Sequence, residues 1–389
     1  MDNKLEIDLD DKKILSVEYF FNGKIEGKPV IGFCLNAVES GELVEVTRRG
    51  FYTDYDGDFF YNCLDSISNL YLKDWTSTPN SVSNISNCLI FIKKDNQFTV
   101  YINFPTLLEI IPRIDKKKGE TIYKNELVDL KSISFPNIKF DKNCGVIYIF
   151  SSGWRRGFYF SFLPLSDETD DILENWDRCF SLYHAYLMFP EIYRMDSNMM
   201  NKLTDDGWFP FNRLLGKQFT DLFYAYSNDF NIDSIVDSID QSFTEEKLNE
   251  MVISWFQKDE IKKSEKIIRA GIERFLNEDY ISSINNLYPR IEGTLRYLYL
   301  TEKDSPNVQK LIDKLQAVAE GKVSSEGLLL PKAFCSHLKN FLFSSFDLKT
   351  GKIDLSRHSL AHGVADEDQF NKCAAIQGIL ILDQIHYYL

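Results

Sequence analysis

Apolar positions in the first part of the chain come in short runs. Segments such as Ile14–Phe21, Val30–Ala37, Leu43–Thr47, Cys88–Ile92, Phe98–Phe104, Val146–Phe150 and Phe158–Leu163 are rich in β-branched and aromatic residues. Asn, Gly, Asp and Ser separate them, which is the pattern of short strands joined by turns. Asn22-Gly23 and Asp56-Gly57 read as hairpin turns, and Lys116–Lys118 as a solvated loop.

Near Ser166-Asp167-Glu168-Thr169-Asp170 the period changes. Acidic and capping residues precede Ile172, Leu173, Trp176, Phe180, Leu182 and Tyr183, which step at helical spacing. Between Met195 and Phe230, Asp, Asn and Gly mix with Trp208, Phe209 and Phe211, predicting a loop-rich connection followed by a helix. From Phe243 the chain reads as helical. Thr244-Glu245-Glu246-Lys247 starts an amphipathic run, and Tyr280, Ile284, Leu287, Ile291, Leu295 and Leu298 line one face of a core helix. Further helices are expected at Val308–Ala319, at Lys332–Phe343 and, capped by Asp366, from Glu367 to Tyr388. The fold class expected is therefore α+β: a β-rich N-terminal domain over 1–165, a helical connecting region over 166–242 and an all-α bundle over 243–389.

Composition narrows the function classes. Of 389 residues 44% are hydrophobic and 26% charged, which supports sizeable cores and a two-domain soluble chain. The formal charge is −14, divided roughly evenly between the two halves. This argues against a surface that grips nucleic acid everywhere, because such affinity comes from Lys and Arg neutralising phosphates; any RNA contact must be local. There is no signal-like N-terminus and no apolar run of membrane length, so a cytoplasmic, membrane-free location is expected. The seven cysteines stand singly with no C-x-x-C pair, which fits reduced thiols better than disulfides or a zinc ribbon. Thirty Phe and 20 Tyr mostly signify large cores. Trp154-Arg155-Arg156-Gly157 reads as a hairpin loop with exposed charges, although Trp beside Arg also suits a phosphate or a stacked base. No P-loop or dinucleotide fingerprint is present, and neither cofactor nor metal is expected.

One segment concentrates polar chemistry: Asp354-Leu355-Ser356-Arg357-His358-Ser359-Leu360-Ala361-His362-Gly363. Asp354 or Ser356 suits the cap of a short helix, and Gly363 its left-handed end. Two of the five histidines and an arginine fall within six residues. His358-x3-His362 also has the spacing of two metal ligands one helical turn apart, but Ser359 stands where a metalloprotease would carry Glu. Ser359 as a nucleophile would lack a G-x-S-x-G elbow. In a purely structural reading, Arg357 and the histidines cap helices and pair with Glu292 or Asp366.

Arg357-x4-His362, with Leu287-Tyr288-Pro289-Arg290-Ile291-Glu292-Gly293-Thr294-Leu295-Arg296 upstream, resembles the HEPN superfamily of helical domains. The hallmark of that family is Arg followed four to six residues later by His, and the resemblance covers roughly residues 243–389. Where family members often carry Asn or another polar residue after the Arg, this chain has His358. The resemblance implies a metal-independent endoribonuclease with Arg357 and His362 as catalytic residues and His358, Glu292 and Arg296 in support. It also implies RNA, including tRNA, as substrate, a homodimer through the C-terminal helices, and a triggering or neutralising protein partner. A sheet-rich domain ahead of such a bundle is similar to some abortive-infection proteins of bacterial phage defence, where the nuclease acts as a toxin. The alternative is a catalytically silent dimerisation module that binds a protein or small ligand. Arg suits the phosphorane of RNA cleavage because its guanidinium stays charged and donates parallel hydrogen bonds. His suits the proton transfers because its ordinary pKa is about 6.5. Glu292 and Arg296, at i and i+4, otherwise make an ordinary intrahelical ion pair.

Overall fold

The structure, a computed structural model, describes residues 23–27 (backbone only), 40–41, 49–72, 85–139, 143–162, 176–299, 306–323, 327–349 and 353–389. The strands expected at Ile14–Phe21, Val30–Ala37 and Leu43–Thr47, the acidic run at 166–170 and Cys34 lie outside these residues. The chain forms two compact units, one from 1–106 with 135–173 and the other from 107–134 with 174–389.

The first unit holds a six-stranded antiparallel sheet. Its strands are β1 (Gly23–Gly27), β2 (Arg49–Thr53), β3 (Asn87–Ile92) and β4 (Phe98–Ile102), with two more from later in the chain, β7 (Gly145–Ser152) and β8 (Arg155–Ser161). The order across the sheet is β1-β4-β3-β7-β8-β2. The register aligns Ile102, Cys88, Ile149, Phe158 and Tyr52 in one row, and Val100, Ile90, Ile147, Phe160 and Gly50 in the next. Alternation puts both rows on one face. There they meet Phe60, Cys63, Leu64, Ile67 and Tyr71 of helix α1 (Asp58–Tyr71) in one apolar core. Gly50 is needed in its row, since a Cβ there would lie 2.8 Å from the Phe160 ring.

Of the two expected hairpin turns, Asn22-Gly23 includes Asn22, which lies outside the described residues, and Gly23 is the first residue of β1, opposite Ile102. The other is corrected: Asp56-Gly57 joins a strand to a helix. The Asp56 carboxylate accepts from Thr53 N at 2.7 Å, and Gly57 at φ +59° leads into α1, a helix that the strand-like reading of this region passed over. At the β7–β8 turn Trp154 is 78% exposed, and the Arg155 guanidinium lies 3.8 Å from the Tyr55 ring centroid and 4.4 Å from that of Trp154. The charge thus stacks on rings rather than standing free.

The second unit begins with a hairpin, β5 (Leu107–Pro112) and β6 (Leu127–Ser134). Its connecting loop is solvated, although Lys116 Nζ pairs with Glu126 at 2.6 Å. The helices follow as α2 (Trp176–Met188), α3 (Pro190–Tyr193), α4 (Ser197–Asp205), α5 (Lys217–Ser227), α6 (Asp233–Ser242) and α7 (Glu245–Trp255). Next come α8 (Asp259–Lys262), α9 (Glu265–Leu276), α10 (Tyr280–Tyr297), α11 (Val308–Lys322), α12 (Pro331–His337), α13 (Arg357–His362) and α14 (Lys372–Tyr388). Thr244 caps α7 as its sequence predicts, accepting from Lys247 N at 3.3 Å. The last long helix starts later than expected, because the Asn371 side chain, not Asp366, caps it at Ala374 N.

The strands β5 and β6 belong with the helices, although they fall within the span 1–165 expected to form one β-rich domain. Polar ties account for this. Asn212 donates to the Val128 carbonyl at 2.7 Å, Asp129 accepts from Leu328 N at 2.9 Å, and Arg113 donates to the Asn212 carbonyl at 2.5 Å. At the centre lies α14, buried from Ala374 through His386. An apolar all-round helix belongs in a core, and this one admits its neighbours closely: a Cβ on Gly378 would lie 2.9 Å from the Tyr288 ring of α10. Within this helix Asp383 is buried and held by Arg213 through two hydrogen bonds, at 3.0 and 2.9 Å, and by the Trp255 indole N–H at 2.8 Å. Burial alone would raise the Asp383 carboxyl, but Arg213 and Trp255 together hold it below the ordinary carboxylate range. Six cysteines among the described residues are free thiols, and no helix among them is long and apolar enough to cross a membrane.

Candidate functional site

The segment singled out by sequence folds as a single short helix. The Ser356 hydroxyl accepts from Ser359 N at 3.1 Å and the Ser359 hydroxyl accepts from Ser356 N at 2.8 Å, a reciprocal cap. At the other end Gly363 adopts φ +66°, ψ +32°, and Gly363 N and Val364 N donate to the Leu360 and Ser359 carbonyls. This is the left-handed stop for which glycine has no steric cost. The serine chemistry of the segment is therefore structural. Ser359 is fully buried, and its hydroxyl donates to the Asp354 carbonyl at 2.8 Å.

What the helix presents is Arg357, His358 and His362. Arg357 Nε pairs with Glu292 Oε2 on α10, and the other carboxylate oxygen of Glu292 takes Arg296 Nε at 2.7 Å and Nη2 at 2.5 Å. One carboxylate, its side chain 5% exposed, thus holds two guanidiniums whose side chains are 30% and 44% exposed. The cluster of three charges carries a net +1, and its positive ends reach solvent. Pro289, which brings no N–H to the helix ladder, lies one turn before Glu292 within the unbroken α10.

His362 is exposed and its ring centroid lies 5.6 Å from that of Phe346, while His358, four residues earlier on the same face of α13, is half-buried. The five-residue step from Arg357 turns His362 about 140° round a regular helix, which accounts for their different neighbours, Glu292 for one and Phe346 for the other. The other three histidines contrast with this pair. Burial pushes the imidazoles of His184 and His337 down to about 3 and that of His386 to about 4, so each stays neutral at neutral pH. His337 sits 1% exposed among Phe209, Phe211, Phe334 and Phe341.

The structure brings Arg357, Glu292 and Arg296 into one ion cluster and sets His358 and His362 along the adjoining helix. Asp366, weighed as an alternative partner for the motif, instead accepts from Ile353 N at 2.9 Å. Among the described residues no third His, Cys, Asp or Glu joins the two histidines in a metal-holding group. Sequence reasoning missed Phe346, whose only signal was a single aromatic between Ser344-Ser345 and Asp347. It also missed the pocket of about 290 Å³ that Leu360 and Gly363 border together with Ile281, Asn285 and Phe370. Compared with family models, with curated proteins and with solved structures, the chain matches none.

Proposed function

We propose that the helical part of this chain is an endoribonuclease of the HEPN type, acting without a metal ion, with α13 as its reacting element. The observation that carries the reading is the partition of the histidines. Burial holds three of them neutral, and the other two, His358 and His362, lie on one six-residue helix beside an arginine. Cleavage within RNA begins when a base takes the proton of a 2′-hydroxyl and the freed oxygen attacks the adjacent phosphorus. It ends when an acid protonates the departing 5′-oxygen, leaving a 2′,3′-cyclic phosphate. His362 and His358 supply the base and the acid, either within one chain or one from each copy of a homodimer formed through the C-terminal helices. Arg357 stabilises the phosphorane with the N–H groups that Glu292 leaves unused, and Arg296 extends the positive edge along the RNA. The N-terminal unit senses a trigger or restrains the nuclease, which fits a toxin of phage defence released on infection.

The test is cleavage of total RNA and tRNA by the purified full chain in EDTA. His362→Ala and Arg357→Ala are each expected to lower the rate at least about 100-fold, with cyclic phosphate ends on the wild-type products. Cleavage that needs added metal, or that survives in both variants, overturns the reading. One observation favours a second reading, a silent dimerisation module: Arg357 already has a carboxylate partner in Glu292. A dimer that leaves RNA intact in the presence of every trigger, with Arg357→Ala weakening the dimer, would decide for it.

A further inference from the structure

The seam where α13 packs on α10 holds the ion cluster at one end and the pocket of about 290 Å³ at the other. Helical spacing sets the two in line. Ile281, Asn285 and Glu292 share one face of α10, and Arg357 and Leu360, three residues apart, share one face of α13. At a rise of about 1.5 Å per residue, Leu360 lies about 5 Å beyond Arg357, and Asn285 about 10 Å from Glu292. A ribonucleotide spans a distance of that order from its phosphate to its base.

The lining decides which part of a nucleotide each end takes. No Lys, Arg or His borders the pocket, so a phosphate finds its partners at the ion cluster, where Arg357 and Arg296 outnumber Glu292 by one charge. Leu360, Ile281 and the half-buried Phe370 give the pocket apolar walls, which suit the faces of an unstacked base. Its volume is too small for a larger ligand than one ring system with its substituents. Its polar side chains offer acceptors. The Glu367 carboxylate has no hydrogen-bond or ion-pair partner among the described residues, and the Asn285 amide nitrogen donates to the Ile281 carbonyl at 2.8 Å, leaving its oxygen to accept. An ionised carboxylate accepts and never donates. Guanine is the base that matches it, because its Watson–Crick edge carries two adjacent donors, N1–H and the 2-amino group. Adenine and cytosine set one amino group beside an acceptor, and uracil sets one N–H between two carbonyls.

We propose that this pocket seats a guanine base of single-stranded RNA, with its Watson–Crick edge on Glu367, its ring against Phe370 and Leu360, and its phosphate on Arg357 and Arg296. The proposal rests on α13 being the RNA site of the nuclease reading, and it adds Glu367 as the residue that sets specificity, with no part in proton transfer. Cleavage then falls next to a guanosine.

The experiment is fluorescence anisotropy of the full chain with 2′-fluoro RNA hexamers, which cannot be cleaved by 2′-hydroxyl attack. All are uridine except at the third position, which is guanosine, inosine, adenosine, cytidine or uridine. The guanosine hexamer is expected to bind about tenfold tighter than those with adenosine, cytidine or uridine. Inosine, which keeps N1–H and lacks the 2-amino group, is expected to bind about threefold weaker than guanosine. Glu367 is exposed, so Glu367→Gln leaves the fold intact while replacing one acceptor by a donor. That variant is expected to cut the guanosine preference to under about twofold and to keep the binding of the all-uridine hexamer. Equal binding of all hexamers, or a guanosine preference that survives Glu367→Gln, overturns the proposal. Cleavage of the same sequences as unmodified RNA in EDTA separates it from the nuclease reading. Guanosine-selective binding without cleavage refutes the nuclease alone, and metal-independent cleavage with no base preference refutes the guanine pocket alone.

Discussion

Two buried carboxylates in the helical unit hold arginines, and they do so to opposite ends. Asp383 in the middle of α14 has a side chain 2% exposed and takes Arg213, itself 21% exposed, together with the Trp255 N–H. Glu292 on α10 is almost as deep at 5%, yet its two arginines, Arg296 and Arg357, are 44% and 30% exposed. The first arrangement closes a charge into the core with its hydrogen bonds satisfied, and the second uses a buried anion to fix cations at the surface. The depth of a carboxylate thus says little about its role, because what matters is where the partner's remaining N–H groups end up.

The sharpest way to break the comparison is to remove each anion and compare stability. Asp383→Ala leaves Arg213 with its carboxylate gone and little water to replace it, and also strands the Trp255 indole N–H. Removing one partner of a buried pair costs about 3–5 kcal/mol. Chemical denaturation of the full chain is expected to show a loss of that size, with RNA cleavage changing only as far as folding does. A loss under 1 kcal/mol would mean that solvent reaches Arg213 and that the two sites are alike.

The histidines extend the same contrast to pH. His337 and His386 have pKa values pushed down by burial to about 3 and about 4, whereas in the unfolded chain both sit near 6.5. The unfolded state therefore binds protons first as pH falls. Stability is fully present above pH 6.5 and declines below it, continuing to about pH 4 for His386 and about pH 3 for His337. At pH 4.5 each histidine accounts for a loss of about 2–3 kcal/mol. Denaturation midpoints measured from pH 7 to 4.5 are expected to fall along this slope, and His386→Gln is expected to flatten it. Replacing both His358 and His362 with Ala is the matching control on α13. A slope that follows α13 instead would reverse the assignment of which histidines are structural.

How much of this was legible in sequence depends on how local the cause is. The caps of α7 and α13 were readable, because Thr244, Ser356 and Gly363 act on backbone groups within four residues of themselves. The Glu292–Arg296 pair was readable for the same reason, being one helical turn apart. The attachment of β5 and β6 to the helical unit was not, since a strand's apolar alternation says that one face is covered and not by which core. That choice rests on Asn212 and Leu328, which are about 80 and 200 residues further along the chain. The α1 helix was passed over because its aromatics, Phe59, Phe60 and Tyr61, also suit a strand, and only the spacing of Cys63, Leu64, Ile67 and Tyr71 reveals the turn. Asp383 did leave a signal: one acid within Ile379-Leu380-Ile381-Leu382-Asp383-Gln384-Ile385 has to be paired if the helix is buried, but nothing local names Arg213 or Trp255 as the partners.

The smallest expected stability change belongs to Glu292→Gln. Arg296 and Arg357 already reach water, so losing the carboxylate strands no charge in the core, and the cost is about 1 kcal/mol. Binding and cleavage are then expected to move in opposite directions. Removing the anion adds one net positive charge at the surface, which strengthens the hold on a non-cleavable single-stranded RNA and steepens the salt dependence by about 0.7 in log affinity per log salt. On the proposed nuclease reading, cleavage is expected to fall, because Arg357 loses the partner that sets its guanidinium beside α13 and no longer meets the phosphorane in a fixed geometry. If cleavage instead rises with binding, Glu292 restrains Arg357 rather than positioning it, and the ion cluster is an inhibitory latch. If neither changes, the exposed arginines lie off the path of the RNA, and the contrast with Asp383 is one of solvent exposure alone.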